Sequence, residues 1–148
     1  MRPHHVGVTV GNLQRSVDFY SAFFGDRPEV ARLYDTPYTS QQVGYLDTVL
    51  DIAIFKIPGS ELRMELIQYL QPVGTPVDTE TKNPGTWHLC LATSEIDHDF
   101  DRLVGLGATP RSDRPVLITS GPNTGKRVAY LRDLDGLTIE LIENSQAA

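Results

Sequence analysis

Apolar and polar residues alternate along "HVGVTV" (His5–Val10), which predicts a strand with Val6, Val8 and Val10 on one face and His5, Gly7 and Thr9 on the other. The period then lengthens. Leu13, Val17, Tyr20 and Phe24 recur at helical spacing behind Asn12, a good N-cap, and before Gly25, a natural stop. Strands are predicted over Glu29–Tyr34, Asp51–Ile57 and Leu62–Gln68, the last two joined through "PGSE". The unit reads β-α-β-β-β.

The pattern then repeats. "WHLCLAT" predicts a strand with Trp87, Leu89 and Leu91 on one face, Trp87 in the core, and His88, Cys90 and Ala92 on the other. Ser94 is the expected cap of a helix running to about Val104. Strands near Thr109, at Arg127–Arg132 and at Thr138–Glu143 complete the copy, the last two joined through "DLDG". The offset that takes His5 to His88 also takes Leu13 to Ile96, Val17 to Phe100 and Tyr20 to Leu103. "RMELIQ" and "TIELIE" match as well, so each half carries one histidine early and one glutamate late. Proline- and threonine-rich Gln71–Pro84 reads as the linker, and Tyr34–Gly44 and Arg111–Gly125 as long loops near the site.

Length and composition narrow the class. With 148 residues and 40% hydrophobic content, one domain is expected, with modules at about 4–70 and 85–144 and a linker at about 71–84. A net charge of −6 gives no footprint for nucleic acid, and no apolar run suits a membrane span or a signal sequence. The single cysteine, Cys90, forms no internal disulfide. The expectation is a cytoplasmic protein with a small-molecule substrate.

Inward-facing charge is the chemical clue. A strand glutamate beside apolar neighbours is costly to bury unless something pairs with it. Taken singly, Glu65 reads as the partner of Arg63 or Lys56, and each histidine as a hydrogen-bonded structural residue. Four ligand-type groups at equivalent places in two copies form a narrower pattern, and two halves sharing a sheet would bring them onto one concave surface. The small residues beside each histidine leave room for a cavity.

"HHVGVTVGNLQRSVDFY", "ELIQY", "WHLCLA" and "YLRDLDGLTIELIE" resemble the vicinal oxygen chelate superfamily, which contains glyoxalase I, methylmalonyl-CoA epimerase, extradiol dioxygenases, and fosfomycin- and bleomycin-resistance proteins. The resemblance spans nearly the whole chain. It implies an α+β fold of two tandem βαβββ modules, forming an open, cupped mixed sheet around a metal with helices on the outer face. It places the metal ligands on His5, Glu65, His88 and Glu140, prefers His5 to His4, and leaves His4 facing elsewhere. It further implies one divalent ion (Zn, Ni, Co, Mn or Fe) and a homodimer.

Two imidazoles and two carboxylates leave two octahedral positions for substrate oxygens, so the expected activity is an isomerase or lyase moving a proton alpha to a carbonyl. In the glyoxalase-like and epimerase-like proteins that the chain resembles, a metal-bound glutamate can loosen from the ion and take the proton, which implies Glu140 as the favoured base and Glu65 as the other candidate. Asp47 and Asp51 are the available second acid/base groups for an epimerase, though neither aligns with the epimerase glutamate. The alternatives are an Fe- or Mn-dependent ring-cleaving dioxygenase and a metal-free drug-binding protein. "GPNTGK" is not a phosphate loop, because its glycine spacing is one residue short and Arg127 stands where Ser or Thr is needed; it reads as a turn-rich loop at the cavity mouth, with Lys126 and Arg127 a solvated basic pair as the favoured reading and a grip for an anionic tail as the alternative. Asp97, His98, Asp99 and Asp101 read as a solvated helix face. No neighbour in sequence activates Cys90 as a nucleophile.

Overall fold

The computed structural model describes residues 1–144. They form two compact units, residues 1–77 and, among the described residues, 78–144. The first contains β1 (His5–Thr9), α1 (Leu13–Phe24), β2 (Val30–Tyr34), α2 (Pro37–Val43), β3 (Val49–Lys56) and β4 (Arg63–Gln71). The second contains β5 (His88–Thr93), α3 (Ile96–Gly105), β6 (Thr109–Pro110), β7 (Val116–Leu117), β8 (Arg127–Arg132) and β9 (Thr138–Glu143). The class is α+β, with one mixed sheet per unit.

The two sheets share one plan. Strand order is β1-β4-β3-β2 in the first and β5-β9-β8-β6 in the second, with β7 also on β8. In each, the first strand lies parallel to the last, β1 on β4 and β5 on β9, and the remaining pairs are antiparallel. A parallel neighbour cannot be reached by a tight turn, so the helix and intervening strands between them supply the crossover. Neither sheet closes into a barrel.

Alternation assigns the faces as expected. Val8 and Val10 are buried under α1 with Ala53, Phe55, Met64 and Leu66, while His5, Gly7 and Thr9 are exposed. The second unit packs Leu89, Leu131, Ile139 and Leu141 with Ile96, Phe100 and Leu103 of α3. Asn12 caps α1 by accepting from the Arg15 amide at 2.9 Å, and Gly25 ends it at φ 75°. The buried stripe of α1 is rotated from the simple count: Ser16, Phe19 and Phe23 are buried, whereas Val17 and Phe24 are half-buried. Aromatic side chains reach around the helix to Phe55, which meets both Tyr20 and Phe24.

Several local expectations are corrected. Trp87 is 43% exposed, because it precedes β5 and has no paired neighbour to cover it. Ser94 does not cap α3; Thr93 does the local bonding, accepting from the Glu95 amide and donating to Asp99. The stretch expected as one loop at 34–44 holds α2, started by Pro37 and ended by Gly44 at φ 80°. That at 111–125 holds β7. The aspartates of α3 are not merely solvated, since Asp97 binds Arg127 at 2.6 Å and Asp101 binds Arg114 at 2.7 Å. Among the described residues no helix is long and apolar enough to cross a membrane.

The end of the expected linker belongs structurally to the second unit. Glu80 binds Arg111 at 2.7 Å and Arg132 at 2.8 Å, and the Thr79 hydroxyl accepts from Arg132. This clasp closes over the β8–β9 turn, where Asp133 accepts from the Asp135 and Leu137 amides and Gly136 adopts φ 89°. A Cβ on Gly136 would lie 2.6 Å from the Thr79 hydroxyl oxygen. Both the backbone conformation and the contact therefore demand glycine. Gly136→Ala is expected to cost about 1–3 kcal/mol, read as a lower urea midpoint; an unchanged midpoint would show that the clasp does not constrain the turn.

Candidate active site

Parallel pairing puts a histidine and a glutamate on one face of each sheet. In the first unit Gly7 is level with Glu65 and His5 with Arg63. His5 Nε2 lies 3.5 Å from Glu65 Oε2. In the second unit Cys90 is level with Glu140 and His88 with Thr138, and His88 Nε2 lies 2.9 Å from Glu140 Oε2. The Glu65 and Glu140 side chains are only 19% and 15% exposed, against 44% and 43% for their histidines. Each carboxylate is therefore largely withdrawn from water and each imidazole stays open to it.

The bland partners for Glu65 are otherwise engaged: Arg63 binds Glu29 at 2.9 Å and Lys56 lies 3.6 Å from Glu61. His4 Nδ1 is 2.8 Å from His5 Nδ1, on the opposite side of the ring from His5 Nε2, which faces Glu65. Such a contact on the far nitrogen fixes which nitrogen of His5 is presented. Asp51 pairs with Gln68, the residue next to Ile67 that takes the helix-side face and accepts from the Leu13 amide, so it points away from Glu65. Asp47 is exposed in the turn before β3, at φ 51°.

The second unit carries more chemistry. Register across its sheet gives three transverse rows on the His88 face: His88, Thr138, Arg132 and Thr109; Cys90, Glu140 and Tyr130; and Ala92, Ile142, Val128 and Val116. The Arg111 amide donates to the Tyr130 carbonyl at 2.9 Å, extending the β6 ladder and adding Arg111 to the middle row. A cavity of about 320 Å³ lies along the second and third rows, lined among others by Arg111, Asn123, Val128, Tyr130, Glu140 and Ile142. The 121–126 loop thus does line a cavity through Asn123. Arg127 is not its anion grip, because its guanidinium and amide bind Glu143 and its remaining Nη1 binds Asp97.

Glu140 sits at the centre of this row. Loss of solvent pushes the Cys90 thiol up to about 11, and the charge of Glu140 and a hydrogen bond to it act in the same direction. Tyr130 is likewise raised, first by desolvation and then by Glu140 and Cys90. Both groups stay protonated at neutral pH and donate to the carboxylate, while the Tyr130 ring packs 5.4 Å from that of His88. Sequence reading missed Tyr130 and the Cys90–Glu140 contact, although counting back across the "DLDG" turn pairs Tyr130 with Glu140. In the first unit Gly7 occupies the place of Cys90. A Cβ there would meet Glu65 Oε2 at an ordinary 3.8 Å, so the glycine leaves that carboxylate uncovered.

The expected ligands therefore lie as two pairs, His5 with Glu65 and His88 with Glu140, one in each unit. Among the described residues no three His, Cys, Asp or Glu side chains come together as a ready-made metal group. Each pair nonetheless suits an ion. Neighbouring ligands at about 2.1 Å from an octahedral ion stand about 3 Å apart, close to the 2.9 Å of His88–Glu140 and somewhat below the 3.5 Å of His5–Glu65.

Known proteins share this architecture. The family model described as Glyoxalase/Bleomycin resistance protein/Dioxygenase superfamily matches residues 4–130, a stretch that includes His5, Glu65 and His88 and stops before Glu140. A 2-epi-5-epi-valiolone epimerase from an Actinomyces species is 26% identical over 147 residues, covering 94% of this chain and 77% of that protein. A glyoxalase family protein from Bacillus cereus superposes with a TM-score of 0.83 at 21% identity, covering 97% of this chain and 93% of the other. Glyoxalase I from Zea mays gives 0.66 at 19% identity, over 98% and 45%. The fosfomycin resistance protein FosX from Listeria monocytogenes, solved with Mn(II) and sulfate, gives 0.60 at 17% identity, over 96% and 91%. At these identities the solved structures speak for the fold alone.

Cys90 offers a direct probe of the Glu140 environment. Iodoacetamide is expected to label it slowly at pH 8, with the rate rising toward a midpoint of about 11. Glu140→Gln removes the negative charge that opposes thiolate formation and is expected to lower that midpoint; an unshifted profile would separate the two groups.

Proposed function

The chain belongs to the Glyoxalase/Bleomycin resistance protein/Dioxygenase superfamily, and from that premise we propose that it is a divalent-metal-dependent isomerase or lyase moving a proton alpha to the carbonyl of a small substrate. The observation that carries this reading is Glu140: a mostly covered carboxylate 2.9 Å from an imidazole, at the wall of a cavity. The epimerase relative supports the choice of reaction, since its name denotes inversion of a stereocentre in a ketone. His5, Glu65, His88 and Glu140 would hold the ion. Bound there, a divalent cation supplies Lewis acidity to a carbonyl oxygen and stabilises negative charge developing on it.

The chain's own residues do the rest. Glu140 takes the proton from the carbon next to the carbonyl and returns it, with His88 and the Cys90 and Tyr130 donors orienting the carboxylate. Val128 and Ile142 exclude water from one side of the substrate. Glu65, in the same relation to His5, is the second carboxylate of the set.

The test is exchange of alpha protons in deuterated buffer with added Mn²⁺, followed by NMR across a panel of small hydroxyketones such as dihydroxyacetone. Wild-type protein is expected to wash out the alpha-proton signal, and Glu140→Gln to slow this by about 100-fold or more. Exchange at the wild-type rate in that variant would remove Glu140 from the reaction.

A further inference from the structure

Arg111 ends the middle row, opposite Glu140. Its guanidinium binds Glu80 at 2.7 and 3.4 Å, and the same carboxylate binds Arg132 at 2.8 Å. Two guanidiniums thus share one carboxylate, and Asp78 also lies within electrostatic reach of Arg132. Arg132 is the covered partner, 17% exposed and also bonded to Thr79 and the Gly136 carbonyl, whereas Arg111 is 43% exposed and lines the cavity with Ser112 and Asn123. With Asp78 beside Arg132, Arg111 is the guanidinium of the cluster that is open to solvent and on the cavity wall.

We propose that this end of the cavity is an anion subsite, so that the substrate is a small carbonyl compound carrying a carboxylate or phosphate. Three features support this. In the metal-free protein Glu140 repels an anion at the other end of the row. Adjacent strands lie about 4.8 Å apart, so Glu140 on β9 and Arg111 beside β8 are two strand spacings, or about 10 Å, from each other. That is the length of a short-chain acid or sugar phosphate. Between the two ends Val116, Val128 and Ile142 form an apolar flank for the carbon skeleton, while Asn123 and Ser112 supply neutral polar groups beside the arginine. Glu80 occupies only the Nη1 and Nη2 side of Arg111 and orients it, leaving Nε–H outside that pair, unlike Arg127, whose Nε, Nη1 and Nη2 all bind carboxylates; charge-assisted bonds from a guanidinium to an oxyanion are strong. Assigning the bound anion as substrate rests on the proposed function; the anion subsite itself does not.

The experiment uses hexanoate and hexanamide, which match in shape and differ in charge, and needs neither a metal nor turnover. Each is titrated into the protein while the backbone amides of Val128, Tyr130 and Ser112 are followed by NMR. Hexanoate is expected to shift these amides and to bind about tenfold more tightly than hexanamide. Arg111→Gln, with folding checked by the dispersion of its amide spectrum, is expected to abolish the preference. Equal affinity for acid and amide in the wild type, shifts confined to other residues, or a preference that survives Arg111→Gln would each overturn the subsite. Failure of alpha-proton exchange in the wild type, by contrast, would leave this outcome untouched and count only against the proposed isomerase or lyase reaction.

Discussion

A carboxylate can sit on an apolar strand only if a neighbouring strand offers it a partner, and here the partner is the imidazole on the parallel strand beside it. Parallel pairing of β5 with β9, and of β1 with β4, puts the first strand of each unit next to the last. That arrangement needs the helix crossover, which in turn needs the helix-side face of each sheet to be apolar. The opposite face is then released for chemistry. The His88–Glu140 and His5–Glu65 pairs thus depend on the same topology that builds the two cores.

The two pairs are not equivalent. Gly7 leaves Glu65 without a cross-strand side chain at its level on β1, while Cys90 and Tyr130 both donate to Glu140. An Asp97–Arg127–Glu143 network at the start of β8 and the Glu80 clasp at its end brace the second sheet. The Glu143 carboxyl is held below its ordinary range mainly by its hydrogen bond to Arg127, which marks this pair as architecture. Cavity, donors and bracing all favour the second unit as the place where substrate is handled, and Glu140 over Glu65 as the base.

Much of this was legible in the residues. Period-two alternation identified both histidine strands and their faces, and the matched offsets located the glutamates. What escaped has physical causes. Trp87 follows the alternation of β5 but lies one residue outside the paired strand, so nothing covers it. The rotated stripe of α1 arises because Phe19 and Phe23 fill space that the simple helical count assigned to Val17 and Phe24. The two short elements, α2 and β7, carry too few residues for periodicity to emerge from turn-rich sequence. Arg127 looked free because its partners, Asp97 and Glu143, come from a different helix and strand. Tyr130 and Arg111 were hidden because their importance lies in register across β8, which no single strand displays.

Whether the two imidazole–carboxylate pairs serve one cation is the claim on which the chemistry turns. Titration of chelator-treated protein with Mn²⁺, followed by calorimetry, measures it directly. The account predicts one ion per two pairs, with affinity lost in both His5→Ala and His88→Ala. Absence of Mn²⁺ binding, or binding that survives either substitution unchanged, would contradict it.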